Sequence, residues 1–209
     1  MPFSPSEQHG SDEPVWYVSY GSNMCSERLA CYLGGGRAPG AMRVQPGARD
    51  PRPPARTTSV LLPGRLRFAG ESRTWGGGMA FYDPHPGEHP ARQVAARAHL
   101  LTTGQLLDVL VQEMHRDPAQ VDLRLELGDL VPHAPVAAGP GRYETVLRVA
   151  DLDGLTAVTL TAPDGGRTLA PNPPSPAYRA VLRAGLREGH GWDGATADAY
   201  LDGWVAASR

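Results

Sequence analysis

Apolar residues occur along this chain in short runs, and segments rich in glycine, proline and aspartate separate those runs. Short apolar runs between turn residues are typical of β-strands. The pattern predicts strands at residues 15–19, 59–62, 66–69, 78–82, 93–101, 143–149 and 155–162. Turn sequences lie between neighbouring strands at Pro63-Gly64 and at residues 151–154.

Four other segments show the apolar spacing of α-helices, and they are residues 26–33, 103–114, 176–189 and 196–206. Thr102 and Gln105 form a capping box at the start of the second helix. Ser175 and Pro176 begin the third helix, and Gly189 is predicted to end it. Strands mixed with few helices predict an α+β domain around a largely antiparallel, barrel-like sheet with flanking helices.

The 209 residues suffice for one domain with a sizeable core. We expect that domain to span residues 14–209, after a polar, flexible tail at residues 1–13. Residues 37–58 are rich in proline, glycine and arginine and predict a long loop. No aromatic residues are interleaved with the five arginines of this loop, which favours a solvated surface over a nucleic-acid site. Residues 119–142 show no clear pattern.

The composition narrows the possible functions. The formal net charge of −2 gives no general attraction to nucleic acid or to an anionic membrane. No apolar run is long enough to span a bilayer. Cys25 and Cys31 point to different faces of one predicted helix, so we expect unpaired thiols and a cytoplasmic protein. The chain contains no lysine, which excludes a Schiff-base lysine, a P-loop lysine and a lysine general base.

The end of the first predicted strand is the most informative local feature. Tyr20-Gly21-Ser22-Asn23-Met24 turns an apolar strand into a small polar turn just before a helix. Backbone N–H groups at such a turn can bind an anionic or carbonyl oxygen. Glycine lets a ligand approach the backbone closely, and serine and asparagine are adaptable hydrogen-bonding residues. The same residues also suit a well-capped turn that binds nothing.

Glu113 occupies a position where the second predicted helix should be apolar. It follows Leu110, Val109 and Leu106 by three, four and seven residues, on the face that they define. Burial and the negative end of the helix dipole would both raise the pKa of this carboxyl group. A raised pKa near neutrality is a property of general bases. The alternative is a side chain that reaches past the helix end into water.

Rival nucleophilic sites have less support. Cys25 lies near a helix N-terminus, where its thiol pKa could be lowered, and could pair with His115 in a cysteine hydrolase. No third residue completes a triad. Ser22 lacks the Gly-x-Ser-x-Gly context of a serine nucleophile.

The histidines predict no metal centre. His85 and His89 with Glu88 could indicate a metal site, but they lie in a proline-rich loop without a further ligand, which favours surface histidines. His99 alternates within a predicted strand and is interpreted as structural.

The Tyr20–Met24 sequence, at the end of an N-terminal apolar strand, resembles the signature of the gamma-glutamylcyclotransferase-like family, Tyr-Gly-Ser-Asn followed by Leu or Met. The strand at 96–101 and the helix from Leu106 to Glu113 resemble the family's strand and helix that carry its essential glutamate. The hairpin at 143–162 and Pro174-Ser175 with Tyr178 are also similar to family features. The resemblance covers residues 14–190.

The resemblance implies an enzyme that releases 5-oxoproline and a free amine from a γ-glutamyl amide, without a metal or cofactor. Glu113 would be the catalytic acid and base. The substrate-binding residues would be Tyr20, Gly21, Ser22, Asn23, Met24 and Tyr178, of which Tyr178 is the weaker candidate. The implied partner is a small molecule with a γ-glutamyl or similar acyl-amide group.

The chain also departs from small members of the family. Its loop after Gly34 is longer, Trp75-Gly76-Gly77-Gly78 suggests a separate bacterial subgroup, and Met114-His115-Arg116 follows the glutamate. Asn23 distinguishes it from the glutathione-specific branch. Two other functions stay open: an N-acyl amide hydrolase on the same fold, and a non-catalytic module that binds an amino-acid-like ligand. The sequence leaves the amine half of the substrate and the oligomeric state open.

Overall fold

The computed structural model describes residues 12–85 and 92–208. Within them the predicted strands and helices occur in the predicted order and form an α+β fold, with one additional short strand in the segment 119–142 that showed no clear pattern. In chain order they are β1 (Pro14–Ser19), a 3₁₀ turn (Ser22–Met24), α1 (Ser26–Gly34), β2 (Arg56–Pro63), β3 (Arg65–Ala69), β4 (Met79–Asp83), β5 (Gln93–Thr102), α2 (Thr103–Glu113), 3₁₀ turns at Pro118–Gln120 and Leu127–Asp129, β6 (Pro135–Ala137), β7 (Thr145–Leu152), β8 (Leu155–Thr161), α3 (Pro176–His190) and α4 (Gly194–Ala207).

Six strands form one sheet in the order β2-β5-β1-β8-β7-β6. The pair β1–β8 is parallel, and the other neighbouring pairs are antiparallel. β3 and β4 form a separate two-stranded sheet. The predicted turn at Pro63-Gly64 therefore leads the chain from one sheet to the other, although its sequence would equally suit a hairpin.

β1 is the central strand, and its alternating side chains enter two different parts of the core. Trp16 and Val18 pack in the cluster that contains α3 and α4 residues such as Leu186. Val15 and Tyr17 pack on the opposite side with α1 and α2. Because both faces are covered, β1 is an almost continuous apolar run rather than an alternating one.

The predicted loop at residues 37–58 lies against α2. Asp108, buried on that helix, accepts hydrogen bonds from the backbone and guanidinium of Arg49. Gln105 donates to the carbonyl of Arg52 at 2.9 Å. The last three residues of the predicted loop belong to β2, which begins at Arg56. The segment is therefore irregular but anchored by buried polar side chains.

Several predicted boundaries can be compared with the structure. The capping box of α2 and the Ser175 cap of α3 are confirmed. The predicted end of α3 at Gly189 is wrong, because the helix continues to His190 and Gly191 adopts the left-handed conformation that ends it. Two glycines two residues apart give the same local signal for a helix end, so the sequence alone does not choose between them.

Parts of two predictions lie outside the described residues. Most of the predicted tail, residues 1–11, and the loop residues Glu88 and His89 belong to those parts. Glu13, the last residue of the predicted tail, is tied down, since its carbonyl accepts hydrogen bonds from the backbone and hydroxyl of Thr103. In the described part of the chain, every helix is too short or too polar to cross a membrane.

The contact between α3 and the 3₁₀ turn is close enough to test by substitution. A methyl group at Gly185 would lie 2.5 Å from Cβ of Met24 and 2.9 Å from the backbone nitrogen of Cys25. We expect Gly185→Ala to lower the free energy of unfolding by about 1–3 kcal/mol, because such overpacking forces backbone to move. Urea denaturation would measure it.

Gly189→Ala is the matched control on the same helix. Its methyl group would meet only the side chain of Arg97, at 3.7–3.9 Å, and alanine favours helix over glycine by up to about 1 kcal/mol. This variant should be as stable as the wild type or more stable. Equal stability losses in the two variants would contradict a specific contact at Gly185.

Candidate functional site

The polar turn after β1 is held from three sides. The backbone N–H groups of Met24 and Cys25 are used inside the turn, by the carbonyls of Gly21 and Ser22. The carbonyl of Asn23 accepts a hydrogen bond from Nε2 of buried His99 at 3.0 Å. With α3 packed behind the turn, its conformation is set before any ligand binds.

His99 is structural, as its position in the strand predicts. Burial lowers the pKa of His99 to about 4, so its ring is neutral at physiological pH. The neutral ring donates its Nε2 proton to the Asn23 carbonyl. His99 therefore positions the turn from β5 without adding charge.

Glu113, the last residue of α2, meets the same turn. Its Oε1 accepts a hydrogen bond from Nδ2 of Asn23 at 3.0 Å, and the same nitrogen lies 3.1 Å from the hydroxyl of Tyr17. The side chain of Glu113 thus points into the protein rather than past the helix end into water. The predicted turn and the predicted carboxylate occupy one site.

The environment of Glu113 changes its acidity. Burial raises the pKa of the carboxyl group above its ordinary value. The positive charge of Arg28 and contacts with the Tyr32 hydroxyl and the Asn23 amide act in the opposite direction and offset part of the rise. The net shift favours a group that can both accept and return a proton.

These residues line one cleft that opens to solvent. Of the predicted binding residues, Tyr20, Gly21, Ser22, Asn23 and Tyr178 line it together with Glu113. Met24 does not, because its side chain is buried in the core against α3. The structure therefore brings together all but one of the residues that the sequence indicates.

Two tyrosines form part of the wall of the cleft. The hydroxyl of Tyr20 donates to the carbonyl of Leu160 at 2.7 Å, so its ring forms part of the wall. The hydroxyl of Tyr178 faces Gly21, and a methyl group on that glycine would lie 3.3 Å from it. Tyr178 also stacks on Trp75, with ring centroids 5.9 Å apart.

Sequence reasoning missed several residues of the site, and Arg28, Tyr32 and Trp75 are among them. Arg28 is 1% exposed, and its Nη2 donates to the Tyr32 hydroxyl at 3.0 Å. The signal was available in the sequence. Arg28, Leu29, Tyr32 and Leu33 share the buried face of α1, so Arg28 interrupts an apolar face as Glu113 does in α2.

The rival sites are not supported. Burial raises the pKa of the Cys25 thiol, so the expected lowering at the helix N-terminus is wrong. Cys25 also does not line the cleft, whereas His115 does. Both cysteines are free thiols. Within residues 12–85 and 92–208, no group of three His, Cys, Asp or Glu side chains could hold a metal ion.

Comparisons with known proteins support the fold. The chain has 18% identity with the solved structure of a gamma-glutamyl cyclotransferase, covering 90% of this chain and 86% of that one, with a TM-score of 0.52. A crystal structure of an uncharacterized protein from Homo sapiens gives 20% identity, the same coverage and a TM-score of 0.51. The chain therefore has the gamma-glutamylcyclotransferase-like fold.

Comparisons of sequence are less informative. No protein-family model matches the chain. Histone deacetylase 5 of Arabidopsis thaliana is 34% identical over 205 residues, which covers 90% of this chain. The chain spans only 30% of the length of that relative. The match relates this chain to one segment of a longer protein.

The raised pKa of Glu113 predicts a pH-dependent effect on stability. The unfolded chain has the ordinary value near 4.5, so the folded protein gains most from protonated Glu113 below that pH. This gain is lost as pH rises through the folded value. The neutral variant Glu113→Gln should therefore become more stable relative to wild type as pH rises above about 4.5, as measured by urea unfolding.

Glu188→Gln provides a control with the opposite sign. Burial alone would raise the pKa of Glu188. Hydrogen bonds from Ser26 and Arg97 instead hold this pKa below its ordinary value. This stabilisation is present above the unfolded pKa and lost at lower pH. Glu188→Gln should lose stability relative to wild type as pH rises. The same slope in both variants would refute the buried environment of Glu113.

Proposed function

We propose that this protein is a γ-glutamylcyclotransferase-type enzyme that converts a γ-glutamyl amide to 5-oxoproline and a free amine. The observation that carries the proposal is the 3.0 Å hydrogen bond from Asn23 to Glu113 inside one cleft. It joins a polar backbone turn to a carboxyl group of raised pKa. The shared fold with a gamma-glutamyl cyclotransferase agrees with this proposal.

The substrate supplies its own nucleophile in this reaction. Its α-amine attacks the γ-carbonyl carbon, a new C–N bond closes the five-membered lactam, and the original amide C–N bond breaks. The cleft must hold the glutamyl chain folded so that the two groups meet, which raises their effective concentration. The walls at Tyr20 and Tyr178 suit this task because they restrict the space beside the turn.

Glu113 would move the proton. As a carboxylate it accepts a proton from the attacking amine, and as a carboxylic acid it returns that proton to the departing nitrogen. A raised pKa suits the acid step, because it makes the protonated form easier to reach than for an ordinary carboxyl group. Asn23 would hold the carboxyl group in place through its side-chain amide.

The turn would bind the negative charge that develops on the γ-carbonyl oxygen. The N–H groups of Ser22 and Asn23 are the candidate donors, since Met24 N–H is used within the turn. Ser22 N–H approaches the Tyr178 hydroxyl, so Tyr178 would contact the same oxygen or move aside for it. Donors fixed in advance stabilise such a charge without reorganisation. Met24 would support the turn from the core.

The test is product formation from a panel of γ-glutamyl amino acids and γ-glutamyl amines, with 5-oxoproline measured by mass spectrometry. We expect Glu113→Gln to lower kcat/KM by roughly 10²- to 10⁴-fold, the usual contribution of a general acid and base. Glu126→Gln is the control, because it removes an exposed carboxylate outside this cleft and should leave the rate unchanged.

The products separate the alternatives. Free glutamate in place of 5-oxoproline would identify an amide hydrolase on this fold. Saturable binding of γ-glutamyl compounds without any product would identify a binding module. Equal rates for wild type and Glu113→Gln would overturn the assigned role of Glu113.

A further inference from the structure

Arg28 has donors that the protein itself does not use. Its side chain is 1% exposed and lines the cleft. Nη2 donates to the Tyr32 hydroxyl, but Nε and Nη1 are buried with no hydrogen-bond partner in the described part of the chain. Arg28 and Glu113 do not form an ion pair, although the charge of Arg28 acts on the carboxyl group.

The aromatic neighbours of Arg28 do not satisfy those donors. The guanidinium carbon lies 4.4 Å from the centroid of the Tyr32 ring and 5.3 Å from that of Trp75. Aromatic faces stabilise the cation, but they accept no ordinary hydrogen bond from its in-plane N–H groups. Buried donors of a charged group are almost always paired, which indicates that the missing acceptor comes from a ligand.

A carboxylate is the acceptor that fits. Its two oxygens can receive two N–H groups of one planar guanidinium, and its charge balances the buried cation. Glu113 is not this partner in the described structure, because none of the Arg28 nitrogens bonds to its carboxyl group. The site thus has one carboxyl group for proton transfer and one buried guanidinium that forms no ion pair within the described residues.

We propose that Arg28 binds the α-carboxylate of the γ-glutamyl group, an inference that rests on the proposed function. The α-amine and α-carboxylate share one carbon atom, so a carboxylate at Arg28 keeps the amine near Glu113. The turn at Ser22 and Asn23 is then left for the γ-carbonyl oxygen. Arg28 would set the register of the substrate in the cleft.

The first test compares two ligands that differ in one group. Calorimetry would measure the affinity of wild-type protein for 5-oxoproline and for its α-carboxamide. We expect the carboxylate to bind roughly 10- to 100-fold tighter, the range of a charge-assisted hydrogen bond. Arg28→Met should abolish the preference, and Arg28→Lys should retain only part of it because lysine lacks the planar fork.

Arg187→Met is the matched control, since Arg187 is an exposed arginine that does not line the cleft. It should keep the wild-type preference. Equal affinities for the two ligands in wild type, or no binding of either, would overturn the inference even if the Arg28 variants fail to fold.

The outcomes also separate this inference from the proposed function. Formation of 5-oxoproline without a carboxylate preference would overturn the role of Arg28 alone. A carboxylate preference without 5-oxoproline formation would keep Arg28 as a carboxylate site and overturn the cyclotransferase.

The mouth of the cleft is lined mainly by basic side chains, and this feature is independent of Arg28. Arg73, His115 and Arg142 line it, and Glu113 is the one acidic residue among the described lining residues. Burial, with the charges of Arg43, Arg73 and Arg142, lowers the pKa of His115. In the residues that the structure describes, these three arginines form no ion pair.

Two carboxylates beside the mouth keep their charge, but neither forms an ion pair with these arginines in the described part of the chain. Glu71 accepts from the backbone N–H of Gly77 at 2.8 Å, and Glu144 accepts from that of Gly141. We infer that the amine half of the substrate carries an anionic group, as an amino acid does and a polyamine does not. This inference also rests on the proposed function, but on residues independent of Arg28.

Three substrates with amine halves of similar size provide the test: γ-glutamylglycine, γ-glutamyl ethylamide and γ-glutamyl ethylenediamine. Their amine halves end in an anion, a methyl group and a cation. We expect kcat/KM to fall in that order, by roughly three- to tenfold per step, and the differences to shrink in high salt. The double variant Arg73→Gln/Arg142→Gln should reduce the differences in kcat/KM among the three substrates, whereas Arg187→Gln should leave them unchanged.

Equal or reversed rates along the series would overturn this inference while leaving the cyclotransferase intact. If wild type forms no 5-oxoproline, the same three compounds are compared by calorimetry. The expected order of affinity would then preserve the anionic preference without the reaction, and equal or absent binding would overturn both.

Discussion

The site depends on one hydrogen bond, from the side-chain amide of Asn23 to the carboxyl group of Glu113. It joins the end of the central strand to the end of α2, across 90 residues of sequence. Each partner is fixed independently. The Asn23 carbonyl is held by His99 from β5, and Glu113 is carried by a helix whose start is locked by a complete capping box. Small shifts of either element would separate the proton-transfer group from the turn.

The second constraint is the separation of the two buried charges. Arg28 lies near enough to Glu113 to influence its pKa, but the hydroxyl of Tyr32 takes one of its donors. A direct ion pair would lower the pKa of the Glu113 carboxyl group and make it a weaker proton acceptor. Because Arg28 and Glu113 form no direct ion pair, the effect of burial dominates and the pKa of Glu113 is raised. The arrangement leaves both groups able to interact with a ligand.

Much of the framework could be predicted from local sequence. The apolar runs placed the strands, and Thr102 with Gln105 placed the start of α2, because turns and caps are short-range features. The boundary at Gly189 failed since Gly191 offers an equal local signal. The thiol of Cys25 was misjudged because burial, which local sequence does not reveal, outweighs the helix N-terminus there.

The sequence by itself determined the element order, the polar turn at Gly21-Ser22-Asn23 and the unusual carboxylate at Glu113, since each depends on residue type and short-range spacing. Only the tertiary structure decided that turn and carboxylate meet, that Met24 faces the core, and that Arg28, Tyr32 and Trp75 complete the cleft. Those outcomes depend on which strands pair and which helix faces are covered. Such contacts between distant segments are set by the packing of the whole domain rather than by any local pattern.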